Sequence, residues 1–197
     1  GDISMPQRAR IGGVAQEVAL FAFVSIATTA QTTTKIDATK STINWVGEKV
    51  TGKHEGTVNL KEGALVFKEN KLVGGSFTVD MTSIAVTDLE GGMKGKLEGH
   101  LKADDFFGTD KFATSKLEFK KIATKENNTY TIYADLTIKN KTNEVVFDIV
   151  VKDKTANATV VIDRTKYGIE YKSGSIFDGL GDAAISDDFT LKVVLSF

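Results

Sequence analysis

From Lys35 to the end of the chain, apolar residues recur mostly at every second position, and this spacing restricts the fold more than any other feature. Ile132, Ala134, Leu136 and Ile138 alternate with Thr131, Tyr133, Asp135, Thr137 and Lys139. Phe77, Val79 and Met81 alternate with Ser76, Thr78, Asp80 and Thr82. Val145, Phe147, Ile149 and Val151 share one face, as do Phe189, Leu191, Val193, Leu195 and Phe197, and shorter pairs stand at Ile43/Trp45 and Leu117/Phe119. Successive side chains on a strand point to opposite faces, so period two with one apolar face predicts half-buried strands. Their Val, Ile, Thr and Phe content suits a pleated surface.

Short polar stretches separate these runs: Lys61-Glu62-Gly63, Glu69-Asn70-Lys71, Glu126-Asn127-Asn128 and Asn140-Lys141-Thr142-Asn143. Such brief connections favour antiparallel neighbours, because parallel strands need a crossover of about a dozen residues or more. The exception is the stretch from Thr87 to Thr114, where Leu89, Met93, Leu97, Leu101 and Phe106 are spaced at about four. That spacing predicts one or two short helices that plug or flank one end of the sheet. No internal repeat or linker follows residue 35, and the lone proline, Pro6, lies upstream of every strand. Residues 35–197 therefore read as a single all-β domain of eight or so strands. A closed barrel and a two-sheet sandwich both accommodate such strands, and the pattern alone leaves both open.

Residues 1–34 read differently. Val18 to Ala27 is an apolar run, interrupted only by Ser25, preceded by Arg8 and Arg10 and followed by Thr28-Thr29-Ala30. A basic start, a short apolar centre and small residues at a cleavage position describe a signal peptide, which predicts a periplasmic or secreted protein. Ten helical residues reach about 15 Å, half of a bilayer core of about 30 Å, so a membrane span is not the reading. Glu17 beside the run and the unusual opening Gly1 to Arg10 allow two others. One is an artificially appended leader. The other is an apolar helix that packs on the domain or on a second copy, giving a homodimer through the N-terminal segment.

Charge and composition narrow the function. The chain has 25 basic and 26 acidic residues, a formal charge of -1, which gives no broad attraction for nucleic acid. It has no cysteine, hence no disulfide, thiolate nucleophile or thiolate metal site. Its two histidines, His54 and His100, are not accompanied by the partner set that a catalytic triad or a His-rich metal site requires. No catalytic residue, metal or cofactor is expected.

Several ordered motifs resemble the YceI-like, lipocalin-like family of polyisoprenoid-binding proteins. Lys35-Ile36-Asp37 with Ser41-Thr42-Ile43 is similar to the family's opening, and Gly74 to Ile84 to its second long strand. The most specific piece is His100-Leu101-Lys102-Ala103-Asp104-Asp105-Phe106-Phe107, followed by Leu117-Glu118-Phe119, Asp135 to Asn140, and Arg164-Thr165-Lys166-Tyr167-Gly168-Ile169. The chain departs from the family at Val46 to Thr57, a stretch at the barrel mouth, and at Ala113, where members often carry proline. The resemblance implies an eight-stranded antiparallel lipocalin-like barrel with a short helical segment near residues 88–107. It further implies an elongated apolar cavity and a long-chain, isoprenoid-like lipid as ligand, bound for carriage or storage and not for turnover.

The residues expected to line such a cavity are Trp45, Phe67, Phe77, Phe106, Phe107, Phe119, Tyr133, Phe147, Tyr167 and Phe189. Arg164 is expected to pair with Asp163 or Asp135, or to reach a lipid headgroup. His54 reads as a locally hydrogen-bonded surface residue, and His100 as a residue that fixes the helical segment, with ligand contact as the alternative. Asp104 and Asp105 read as a helix or turn cap, and Asp178, Asp182, Asp187 and Asp188 as turn residues whose spacing is not that of a calcium loop. Two other functions compete with the lipid carrier: a structural or stress-related interaction protein with a filled barrel, and an enzyme acting on an apolar substrate inside the same cavity.

Overall fold

A computed structural model describes residues 29–197. The N-terminal apolar run lies outside them, and with it the readings as signal, leader or dimerisation helix. Among the described residues there are nine strands, one α-helix and two short 3-10 turns (Arg164–Tyr167 and Gly181–Ala183): β1 (Thr32–Lys35), β2 (Thr42–Lys49), β3 (Gly52–Lys68), β4 (Lys71–Val86), α1 (Gly91–Lys102), β5 (Thr114–Thr124), β6 (Thr129–Ile138), β7 (Lys141–Lys152), β8 (Thr155–Asp163) and β9 (Ile185–Ser196). The sheet begins at Thr32, inside the stretch set apart from the domain by sequence.

Every pairing between these strands is antiparallel, and the sheet closes on itself. The order runs β3-β2-β9-β8-β7-β6-β5-β4, and β4 pairs back onto β3. The ninth strand does not widen the barrel. β1 and β2 lie end to end along β3, with Thr32–Lys35 facing Phe67–Ala64 and Ile43–Lys49 facing Val58–Gly52. The wall is thus eight strands round, and closure removes the unpaired edges that a sandwich would leave.

The Glu69-Asn70 turn falls where expected, whereas the turn expected over Asn140-Lys141-Thr142-Asn143 lies one residue earlier, because Lys141 to Asn143 already belong to β7. The two-residue loops Glu69-Asn70 and Lys139-Asn140 hold both residues at positive φ (52° and 62°; 52° and 61°), the geometry that matches the twist of a tight hairpin. Lys61-Glu62-Gly63, expected to be a turn, lies inside β3. The β3–β4 register shifts between Leu60 and Glu62, so the polar triplet marks a bulge in a long, bent strand and not a reversal.

Alternation sorts β6 cleanly. Tyr130, Ile132, Ala134, Leu136 and Ile138 are buried, and the residues between them are partly exposed. The two ends of the barrel differ. At the end with the β3–β4, β5–β6 and β7–β8 turns the interior is occupied by buried aromatic and aliphatic side chains. Phe77, Phe119 and Phe147 stack in a chain, with centroids 5.5 and 6.1 Å apart, among buried Leu65, Ile132 and Ile149. Glycines in the wall make room for the rings: Gly63 lies under Phe77, and Gly75 under Phe119, 2.7 Å from where a Cβ would stand. The other end carries the β2–β3 and β6–β7 turns, α1, and the long β8–β9 connection.

Candidate functional site

At the α1 end the side chains leave a hollow of about 210 Å³. Its wall is aliphatic and aromatic: Ile43 and Trp45 from β2, Val58 from β3, Val79, Met81 and Ile84 from β4, Leu136 and Ile138 from β6, Ile162 from β8, and Phe189 and Leu191 from β9. Leu97 and Leu101 of α1, with Phe106 and Phe107 just beyond it, cover the opening. No residue of α1 is buried, so the helix lies over the mouth and contributes only one edge to the interior.

The covering segment is fastened by polar groups. His54 Nδ1 lies 2.9 Å from Asp88 Oδ2, tying the β3 rim to the start of the segment. Burial alone would raise the Asp88 pKa, but hydrogen bonds from His54 and from the Glu55 amide hold it below the usual carboxylate value. His100 Nε2 lies 3.2 Å from Asp105 Oδ2, and its ring meets Phe106 and Tyr171 edge-on at 4.9 and 4.6 Å. Lys139 donates to the Asp104 carbonyl at 2.9 Å, joining the β6–β7 turn to the same segment, and Asp104 accepts from Lys111 at 3.1 Å.

Arg164 corrects the sequence reading. It is 3% exposed and makes no ion pair with Asp163 or Asp135. It donates instead to three backbone carbonyls: Ser186 (2.9 Å), Ile169 (2.9 Å) and Ile185 (3.0 Å). Its guanidinium lies 5.7 Å from the Phe106 ring centroid. Burial lowers its pKa, with the charges of Asp187 and Asp163 opposing that shift. Asp163 spends its carboxylate on the Thr165 amide and hydroxyl, and Asp135 lies 4.0 Å from Lys120. Arg164 therefore staples the β8–β9 connection to the start of β9, while its edge borders the hollow. Asp187 accepts from Ser173 and Ser175, bonds that hold its pKa low, and the nearby Arg164 charge adds to this.

Of the residues singled out by sequence, Trp45, Phe106, Phe107, Arg164 and Phe189 border the hollow. Phe77, Phe119 and Phe147 form the packed end, and Phe67 pairs with Phe197 at 6.0 Å. Tyr133 stands on the outer face of β6, with Lys121 Nζ 5.2 Å from its ring centroid, because it alternates with the inward Ile132 and Ala134. Tyr167 is buried outside the hollow's wall, and burial, with Asp163 nearby, pushes its hydroxyl pKa up to about 12. Aromatic character does not point to the aliphatic lining, although Ile43, Met81, Leu136, Ile138 and Leu191 sit on the apolar faces that the alternation marks. Ser115 borders the hollow too, and nothing in the sequence distinguishes it. No cluster of three or more metal-ligating side chains occurs among the described residues, and no helix among them is long and apolar enough to cross a membrane.

Comparison with known proteins agrees with this architecture. The barrel resembles the crystal structure of Burkholderia cenocepacia BcnA (TM-score 0.60, 20% identity, covering 81% of this chain and 98% of that one). It also resembles a polyisoprenoid binding domain from Saccharophagus degradans implicated in plant cell wall breakdown (TM-score 0.58, 16% identity, covering 85% and 97%). At these identities the likeness is one of fold. In sequence, the chain is 38% identical over 85 residues to a UPF0312 protein of Staphylococcus aureus (strain bovine RF122 / ET3-1), an alignment covering 38% of this chain and 47% of that protein. The chain thus spans about half the length of the curated relatives it matches. Residues 34–197 match the YceI-like domain, nearly the whole described structure, and the chain belongs to the YceI-like family.

Proposed function

We propose that this protein binds and carries or stores an apolar, isoprenoid-like lipid in the hollow at the α1 end of its barrel. The observation that carries this reading is the hollow itself: one end of the barrel is occupied by buried, mutually contacting aromatic rings, and the other keeps an unfilled space behind an apolar wall. Its volume of about 210 Å³ lies below the usual range for ligand pockets, about 300–1,000 Å³. It therefore takes one end of a chain, and the rest of a long lipid leaves through the mouth. Ten buried methylenes supply about 8 kcal/mol, a micromolar affinity before the cost of association. Several more carbons at the mouth would make carriage effective.

The reading is of a binding protein, not an enzyme. Both histidines are engaged by aspartates, and the Arg164 guanidinium is held by carbonyls. Membership of the YceI-like family, together with the fold shared with the polyisoprenoid binding domain from Saccharophagus degradans, supports the ligand class. The basic start and apolar run of residues 8–27 support export to the periplasm or beyond.

The sole tryptophan, Trp45, borders the hollow and reports on it. Organic extraction of the purified protein followed by mass spectrometry is expected to yield a lipid with isoprenoid mass spacing. Added farnesol is expected to shift Trp45 emission saturably. An extract free of lipid together with an emission unchanged by farnesol would return the protein to the filled-barrel reading.

A further inference from the structure

Among the described residues, two buried side-chain polar atoms have no hydrogen-bond partner: Ser115 Oγ and Tyr167 Oη. Only Ser115 borders the hollow. It stands on the inward face of β5 with Leu117 and Phe119, is 6% exposed, and pairs across the sheet with Val79. The wall around it is apolar, with Met81, Leu136 and Ile138 among its members. An unpaired buried hydroxyl is costly, and alanine or valine would fill the place without that cost. The other polar groups bordering the hollow are spent or face the solvent. His54 and His100 are bound to aspartates, Arg164 to carbonyls, and Ser186 Oγ accepts from the Asp188 amide.

We infer that Ser115 is a polar subsite for the lipid, and that the lipid carries an uncharged oxygen, a hydroxyl or a carbonyl, that hydrogen-bonds to it. The inference rests on the lipid-binding reading above. A hydroxyl both donates and accepts, so it satisfies an alcohol or a ketone equally. It does not satisfy a phosphate, whose charge needs several donors or a cation to offset its desolvation. Arg164 does not supply that cation, since three of its five N–H groups already serve the backbone.

The test titrates wild type and Ser115→Ala with 1-dodecanol, dodecane and dodecyl phosphate, using Trp45 emission. Circular dichroism checks that the variant is folded. Ser115→Ala is expected to weaken dodecanol about tenfold, the value of one buried hydrogen bond, and to leave dodecane unchanged. Removing the orphan hydroxyl is also expected to leave the ligand-free variant at least as stable as wild type. Equal changes for alcohol and alkane, or none for the alcohol, overturn the subsite while leaving the lipid-binding reading intact. Wild type binding dodecyl phosphate more tightly than dodecanol overturns the uncharged class. If none of the three probes moves Trp45 emission, the lipid-binding reading fails and the subsite with it.

Discussion

Tyr167 and Arg164 are neighbours in the sequence and opposites in their bonding. Arg164 saturates three backbone carbonyls, while Tyr167, 1% exposed, buries a hydroxyl with no partner among the described residues. A buried donor without a partner costs about 1–3 kcal/mol, and its removal by an isosteric apolar group recovers part of that. Tyr167→Phe is therefore expected to raise the unfolding free energy by about 1 kcal/mol in urea denaturation. A loss of stability would mean that the hydroxyl has a partner, such as a trapped water. Sequence marks Arg164 as unusual, a cation closing an apolar strand, but not what it does. Its partners are carbonyls, which carry no residue-type signature. Tyr133 is the reverse case: the alternation that buries Ile132 and Ala134 already turns it outward, and its aromatic character suggests a lining role that this position does not allow.

At the scale of elements, the strands are legible because their periodicity is a local property of the chain. The bulge at Leu60–Glu62 is not, because a Lys-Glu-Gly triplet is turn chemistry unless a neighbouring ring requires the glycine. Glycine has opposite meanings in the wall and in the helix. In β4, a Cβ on Gly75 would sit 2.7 Å from the Phe119 ring, which is buried between Phe77 and Phe147. In α1, a Cβ on Gly95 or Gly99 would meet nothing within 4 Å, and each glycine costs the helix up to about 1 kcal/mol relative to alanine. Gly75→Ala is expected to destabilise the protein by about 2 kcal/mol, as overpacking does. Gly95→Ala is expected to stabilise it, by at most about 1 kcal/mol. Pairing Gly75→Ala with Phe119→Leu in a double-mutant cycle is expected to recover part of the first loss. Additive effects would show that the ring is not what the methyl strikes.

Taken whole, the barrel divides its interior between two tasks, and sequence reveals the faces but not this division. Alternation tells which residues point inward; whether they meet in the middle depends on ring stacking across strands far apart in the chain. The stacked Phe77, Phe119 and Phe147 fill one end, while Trp45, Phe106 and Phe189 border space at the other. Substitutions at the two ends should therefore have separable consequences. Phe119→Leu leaves a void in packed core and is expected to lower stability by about 1–2 kcal/mol. Dodecanol affinity, read from Trp45 emission of the folded protein, should stay within about twofold of wild type if stability and binding are independent at this distance. Val58→Phe places a ring where there is already space, so its cost in stability should fall below the 1–3 kcal/mol typical of overpacking. By taking up about the space of two methylenes in a hollow of about 210 Å³, it is expected to weaken dodecanol about tenfold. If both substitutions lowered stability and affinity together, the interior would be one continuous core, and the hollow would not be a compartment of its own.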